Sequence, residues 1–401
     1  MNGSMVMEWA EELGKMSESG PGVTRLFLSD EHRAVIQWLS NKAKEFNLDY
    51  FLDDSGNLVI KKNSRNPGAK TLIFGSHQDT VRHGGKYDGK LGIILPLAAI
   101  ADLPDLSFNI EIIAFGDEEG TRFNSTLVGS SAVAGNFDES ILDRIDDNGL
   151  SMRNAMQEFG IQPSNIPKIA RNKSEIDGFI EVHIEQGPIL EQKELPVGVV
   201  TAITGIERHV VTLTGQAGHA GTVPMELRDD ALVKAIKIIE FVDVICKTTD
   251  KLVGVVGKLD VLPNAVNVIP SEVKLTVELR SPSPEVRSHA QKALYSKIES
   301  IKGADIECTY SKDGIHCDEN LINELSKSVF NCIQQVETLF SGAGHDGLAM
   351  AHLTKCGMLF VRCKKGLSHH PDEAISHFDC QTAIDVLRDF LARKEAKLSL
   401  N

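Results

Sequence analysis

Four short runs of nearly continuous apolar residues punctuate the chain: TLIF at 71–74, IEIIAF at 110–115, FIEVHI at 179–184 and MLFVR at 358–362. Runs of this length, separated by stretches of helical spacing, predict strands of a parallel sheet covered on both faces. Each is followed within a few residues by His, Asp or Glu. In open α/β sheets, sites form outside the carboxyl ends of the strands. Four strand ends bearing ligand-type side chains therefore predict one shared site, although the first and last lie far apart in the chain.

Between the third and fourth runs the pattern changes. HVVTLTG at 209–215 alternates as a half-exposed strand, and RDDALVKAIKIIEFVDVI from 228 has helical spacing with acids at its start. LVGVVGKLDVL from 252 and EVKLTVELR from 272 read as strands, and EVRSHAQKALYSKIESI from 285 as a helix. This order predicts a smaller α+β domain of ferredoxin-like type over 207–317, inserted into an α/β domain made of 1–206 and 318–401. The larger domain is expected to hold a mixed, mainly parallel sheet flanked by helices. A length of 401 residues fits two domains better than one.

The formal net charge of -14 leaves no excess of Lys and Arg to displace counterions, which argues against nucleic acid as a partner. No apolar run approaches the roughly 20 residues that span a bilayer, and the polar, acidic start MNGSMVMEWAEELGKMSESG lacks the apolar core of a signal peptide. The seven cysteines are odd in number, all at or after Cys246, with no CxxC pair. A disulfide framework or thiolate zinc site is not expected, and the reading is a reducing cytoplasm.

Candidate chemistry follows the strand ends. GSHQDTVRHGGKYDGKLG, 75–92, places His77, Asp79 and Asp88 among glycines, a poor place for charge unless something neutralises it. FGDEEGTRF, 115–123, sets Glu118 beside Glu119; in extended chain the two point to opposite sides, so one carboxylate can bind a metal while the other faces a metal-bound water. EVHIEQG, 181–187, carries His183, and GLSHHPDE, 366–373, carries His369 and His370. Singly these read as a solvated acidic turn, a hydrogen-bonded core histidine and an ordinary turn before a helix. Together they offer three imidazoles and at least two carboxylates without sulfur, a set suited to Zn or Mn in a two-metal site bridged by an acid.

The blocks GSHQDTV, GGKYDG, DEEGTRF, EVHIEQGP, GHAGTVPM, NVIPSEVKLTVELR, SGAGHDG and GLSHHPDE run in order over nearly the whole chain. In this order they resemble the M20 metallopeptidase-like amidohydrolases, in the branch containing allantoate amidohydrolases and N-carbamoyl-L-amino-acid hydrolases. The resemblance implies two divalent ions per subunit, Mn2+ or Zn2+. His77 and His183 would hold one ion, Asp88 would bridge, and Glu119 with His369 would complete the second; the G-apolar-S-H pattern selects His369, with His370 as its alternative. Asp79 would orient the His77 imidazole, and Glu118 would act as general base. The inserted domain is similar to a lid and dimerisation domain, implying a homodimer in which His219 of GHAG reaches the other subunit's site to steady an oxyanion. Arg280, a planar fork for a carboxylate, and Asn267 would bind substrate, with Gln186 and His345 lining the pocket. Arg82 stands where many members have Pro.

The implied reaction is hydrolysis of a ureido C–N bond in a small acid: allantoate to ureidoglycine, ammonia and carbon dioxide, or alternatively an N-carbamoyl-L-amino acid or N-carbamoyl-β-alanine. Two other readings stand beside it. One is an M20 aminopeptidase or dipeptidase, disfavoured by the EQG block and by histidine at position 183. The other is a non-catalytic metal-stabilised binding module, which would require loss of a ligand or the base.

Overall fold

The computed structural model describes residues 1–399. Its thirteen strands are β1 Asp49–Leu52, β2 Leu58–Lys62, β3 Thr71–His77, β4 Asn109–Phe115, β5 Ile176–Ile184, β6 Val197–Ile203, β7 Gly205–Thr214, β8 Val253–Leu262, β9 Glu272–Ser281, β10 Ala304–Lys312, β11 Ile315–His316, β12 Thr338–Ser341 and β13 Cys356–Val361. The chain forms two compact units. One comprises residues 1–201, 317–339 and those from Gly344 onward; the other comprises 202–316 with 340–343.

The first unit is built on a sheet ordered β1-β2-β4-β3-β5-β13-β6. Its centre is parallel, with β3 against β4 and β5, and β13 against β5, while β2 and β6 join antiparallel. The four apolar runs are the four central strands, and from their second residue on β3 and β4 are buried throughout. A helix with no polar face, LGIILPLAAI at Leu91–Ile100, is buried at every residue. It packs against β3, β5 and the long helix His377–Ser399. Because this helix follows Asp88 directly, burying it anchors the loop that carries Asp88. The helix Asp30–Glu45 shows the expected end chemistry: Ser29 accepts the His32 N–H, acids lie in the first turn, and Lys42 and Lys44 in the last.

The second unit is a four-stranded antiparallel sheet ordered β10-β7-β9-β8. The helices Ala231–Thr248 and Pro284–Glu299 close a core of Val211, Leu213, Ile238, Val273, Leu275, Val277 and Leu294. Asp230 and Ser283 cap these helices. The unit begins at Ala202 rather than at 207 and gains 340–343, because β6 turns through Thr204 into β7 and the Thr204 N–H donates to the Ser341 carbonyl at 2.9 Å. Its fourth strand, β10, is absent from the hydrophobic pattern. It is an edge strand with most side chains exposed, so no apolar alternation marks it.

Candidate active site

Register brings the first two imidazoles together. In the parallel pair β3–β5, Phe74 lies opposite Ile180, and three residues further along each strand stand His77 and His183. Their rings stack with centroids 5.7 Å apart. Gly89, with φ +70°, leaves the room His77 needs, since a Cβ there would lie 2.5 Å from its ring.

Asp88 lies at the centre. Its Oδ1 is 3.3 Å from His77 Nε2 and 3.2 Å from His183 Nε2, and its Oδ2 is 3.4 Å from His369 Nε2. His369 Nε2 is also 3.4 Å from Glu119 Oε1. His370 points elsewhere: its Nδ1 accepts the Asp372 N–H at 3.1 Å, closing the turn. Three groups of side chains in this cluster could hold a metal ion: His77, Asp88 and His183; Asp88, Glu119 and His369; and His77, Glu118 and Glu119.

The donor set fits divalent cations. The imidazole-to-carboxylate spacings exceed the roughly 2.7–2.9 Å of a charge-assisted hydrogen bond. They match the ~3.3 Å between two donors held tetrahedrally at ~2.0–2.1 Å from a Zn-sized ion. Electrostatics agree. Burial works to raise the Asp88 pKa, yet the imidazoles of His183, His369 and His77 outweigh it and hold the carboxyl well below its usual range. The carboxylates of Asp88 and Glu119, each 3.4 Å away, push His369 up to about 10. Glu118 moves the other way: burial, helped by Glu119, Asp346 and Asp79 against His77, pushes it well above the usual carboxylate value.

Asp79 lies against His77 and also braces the neighbouring strand end. His77 Nδ1 lies 3.0 Å from the backbone carbonyl of Asp79, with the Asp79 carboxylate at 3.6 Å. That carboxylate also accepts the Glu118 and Glu119 N–H groups, tying the end of β3 to the end of β4. Gln186 likewise faces the cluster itself, its amide donating to Asp88 Oδ2 and to Ser368 Oγ, each at 3.0 Å. His345 packs edge-on against His183 with centroids 4.5 Å apart, and burial, helped by His183, holds it well below its usual pKa. Asp117, Gln186 and His369 each adopt φ of +55°, a left-handed conformation uncommon outside glycine, and all three border the cluster.

Sequence reasoning missed two residues. Ser368 donates its hydroxyl to Asp88 Oδ2, and the buried Glu373 accepts the N–H groups of Tyr87 and Asp88. Both lie in the GLSHHPDE block, where only proximity to the histidines could have flagged them.

His219, Asn267 and Arg280 belong to the second unit. The first two sit on paired backbone segments, with His219 bridged to Val268 and the Ala220 N–H donating to Asn267 O at 2.9 Å. Arg280, near the end of β9, spends its fork on Glu278 Oε1 at 2.8 and 2.7 Å and on the Gly342 carbonyl at 2.6 Å.

Residues 73–393 match the model of Peptidase family M20/M25/M40. The chain belongs to this family. Among M20 relatives, it is 35% identical to an N-carbamoyl-L-amino-acid amidohydrolase of Pseudomonas sp. (strain NS671), covering 96% of each chain. It is also 35% identical to an allantoate deiminase of Arabidopsis thaliana, over 95% of this chain and 80% of that protein. In three dimensions it matches an amidase of the hydantoinase/carbamoylase family from Burkholderia multivorans with a TM-score of 0.91, at 29% identity over 98% of both chains. Divalent-metal dependence goes with M20 membership, and the groups around Asp88 are where this chain could hold such ions.

Proposed function

We propose that this chain hydrolyses a ureido C–N bond in a small carboxylate substrate, with allantoate as the first choice, giving ureidoglycine, ammonia and carbon dioxide. The observation that carries this reading is the convergence of His77, Asp88, His183, Glu119 and His369, with Glu118 beside them, in a chain whose full-length relatives are amidohydrolases of such substrates. Two divalent ions, Mn2+ or Zn2+, would be held with Asp88 between them, and when bound would supply Lewis-acid polarisation and water activation at neutral pH. Glu118, raised by its buried and acidic surroundings, takes the proton of the attacking water and returns it to the departing nitrogen. Asp79 fixes the backbone from which Glu118 projects. Gln186 and Ser368 hold Asp88 in place by hydrogen bonds to its Oδ2.

The residues of the second unit are assigned to recognition: Arg280 and Asn267 to the substrate carboxylate, and His219 to the oxyanion of a neighbouring subunit's site. A homodimer through this unit is supported by its edge strand β8, which exposes Val253, Val255, Leu259 and Leu262, and by Val233, Ile236 and Val244 on the adjoining helix. Among the described residues no helix is long and apolar enough to cross a membrane. A cytoplasmic setting is supported by seven cysteines that form no disulfide.

An N-carbamoyl-L-amino-acid substrate is the second reading. It is favoured by the Pseudomonas relative, which matches over 96% of its own length where the allantoate deiminase matches over 80%. The deciding experiment is ammonia release from the Mn-loaded protein, with kcat/KM compared for allantoate, N-carbamoyl-β-alanine and several N-carbamoyl-L-amino acids. A strong preference for allantoate establishes the first reading. Preference for a carbamoyl amino acid replaces the substrate and leaves the residue roles in place.

A further inference from the structure

The loop from Gly85 to Lys90 is wrapped around a side chain that comes from the far end of the chain. Glu373 is 4% exposed. Its Oε1 accepts two consecutive backbone N–H groups, from Tyr87 at 2.7 Å and Asp88 at 3.0 Å. Its Oε2 is buried without a hydrogen-bond partner among the described residues. Gly85 makes the approach possible, because a Cβ there would fall 2.1 Å from the Glu373 carboxyl carbon. The loop is closed from the other side by Lys90, fully buried, whose ammonium donates to the Gly85 carbonyl at 3.0 Å. Glu373 is in turn part of the turn that carries His369, its own N–H donating to the His370 carbonyl at 3.1 Å.

From this geometry we infer that Glu373 is a positioning residue that clamps the Asp88 loop to the His369 turn, fixing the separation of these two ligands. The inference rests on the metal-binding reading above. Asp88 hangs from a loop rich in glycine, held on its far side by the helix Leu91–Ile100, with the Lys90 N–H donating to the Asp88 carbonyl at 2.8 Å; the side toward the His369 turn is held by Glu373. A buried acid with two backbone donors on a single oxygen sets that side, because two N–H groups on one acceptor fix both the position and the tilt of the peptide between them. Outer partners of metal ligands typically govern affinity in this way.

The test is Mn2+ titration of the metal-stripped protein, following the free-ion EPR signal, for wild type, Glu373→Ala, Glu373→Asp and Glu373→Gln, with unfolding in EDTA recorded for each. Glu373→Gln keeps an oxygen for both N–H groups and places its amide nitrogen where Oε2 accepts nothing. It is expected to bind Mn2+ within about threefold of wild type, whereas Glu373→Ala, and Glu373→Asp whose carboxylate no longer reaches, weaken binding by roughly tenfold or more. The Asp variant keeps charge and near-native volume, so it reports even where the Ala variant fails to fold. Unchanged Mn2+ affinity in Glu373→Asp overturns the clamp, even with a lower unfolding temperature. Equal loss in Glu373→Gln and Glu373→Asp overturns it too, because a side chain that keeps an acceptor for both N–H groups would then do no better than one that cannot reach them. Failure of the wild type to bind Mn2+ is a separate result that removes the metal reading itself.

Discussion

Asp79 holds Glu118 by its backbone: the carboxylate Oδ1 accepts the Glu118 N–H at 3.0 Å, and Oδ2 takes the next N–H, that of Glu119, at 3.1 Å. One side chain at the end of β3 thus sets both acids at the end of β4. Asp79→Asn would turn an amide NH2 toward one of those donors, so that two N–H groups meet and the turn must rotate. We expect kcat/KM to fall roughly 10–100-fold with the circular dichroism spectrum unchanged. Activity close to that of wild type would show that the turn is held without it.

Glu118→Gln separates proton transfer from metal binding. The amide has the shape of the acid and cannot take up a proton, so turnover should drop by about 10²–10⁴-fold. Mn2+ content measured after gel filtration should match wild type. Loss of metal in this variant would mean that Glu118, grouped with His77 and Glu119 as a possible ligand set, serves as a ligand.

What the sequence makes legible here is what short-range pattern encodes. TLIF, IEIIAF, FIEVHI and MLFVR announce the central strands because a strand buried on both faces must be apolar throughout. Histidines and acids just beyond them mark the site because uncompensated charge is costly there. The order β4-β3-β5-β13, which sets His77 beside His183, is a matter of long-range pairing that no local pattern contains. Strand β10 escapes for the opposite reason, being exposed and therefore unpatterned. Ser368 acts through one hydrogen bond and Glu373 through two, to residues some 280 positions away, and nothing about an isolated serine or glutamate in a turn signals that. The Glu278 partner of Arg280 was open to reading, since residues two apart on a strand share a face.

Arg280 offers its fork to Glu278 within its own strand. A substrate carboxylate would have to compete with that pair. Removing a charged hydrogen-bond donor of this kind costs about 1.5–3 kcal/mol, so Arg280→Ala should raise KM roughly 10–100-fold for a carboxylate substrate while kcat changes far less. Arg280→Lys, which keeps the charge and loses the planar fork, should fall between the two. An unchanged KM in Arg280→Ala would remove this residue from substrate recognition.

Glu324 gathers Lys327 at 3.1 Å, Arg393 at 2.5 Å and Lys397 at 2.7 Å on the surface of the first unit. Burial opposes ionisation, and hydrogen bonds from Lys397, Lys327 and Arg393 together outweigh it, lowering the pKa from 4.5 to about 2. A folded pKa below the unfolded one gives stability that is complete above pH 4.5 and is lost as pH falls toward about 2. Solvent screening limits the contribution to about 1 kcal/mol at neutral pH. Glu324→Gln should therefore lower the Tm measured in EDTA at pH 7, with the difference from wild type shrinking between pH 4.5 and 2 and also in high salt. A difference that does not vary with pH would show that the cluster acts through packing.

The assignment of His219 to a neighbouring subunit makes a prediction that no single-chain role shares. His219 is exposed on the second unit, its Nδ1 accepting only the Gly221 N–H at 3.1 Å, so substituting it should leave the fold unchanged. His219→Ala and Glu118→Gln homodimers should each be inactive, the first lacking the oxyanion donor and the second the base. A hybrid of the two has one site that draws Glu118 from one chain and His219 from the other. If the donor acts across the interface, that site is fully equipped. Mixing the variants under conditions of subunit exchange should then restore up to about a quarter of wild-type activity, since random pairing makes half the dimers hybrid and each hybrid has one complete site of two. If His219 serves its own chain, each site in the hybrid still lacks one group, and exchange confirmed by mass spectrometry without recovered activity would assign the role within a single chain.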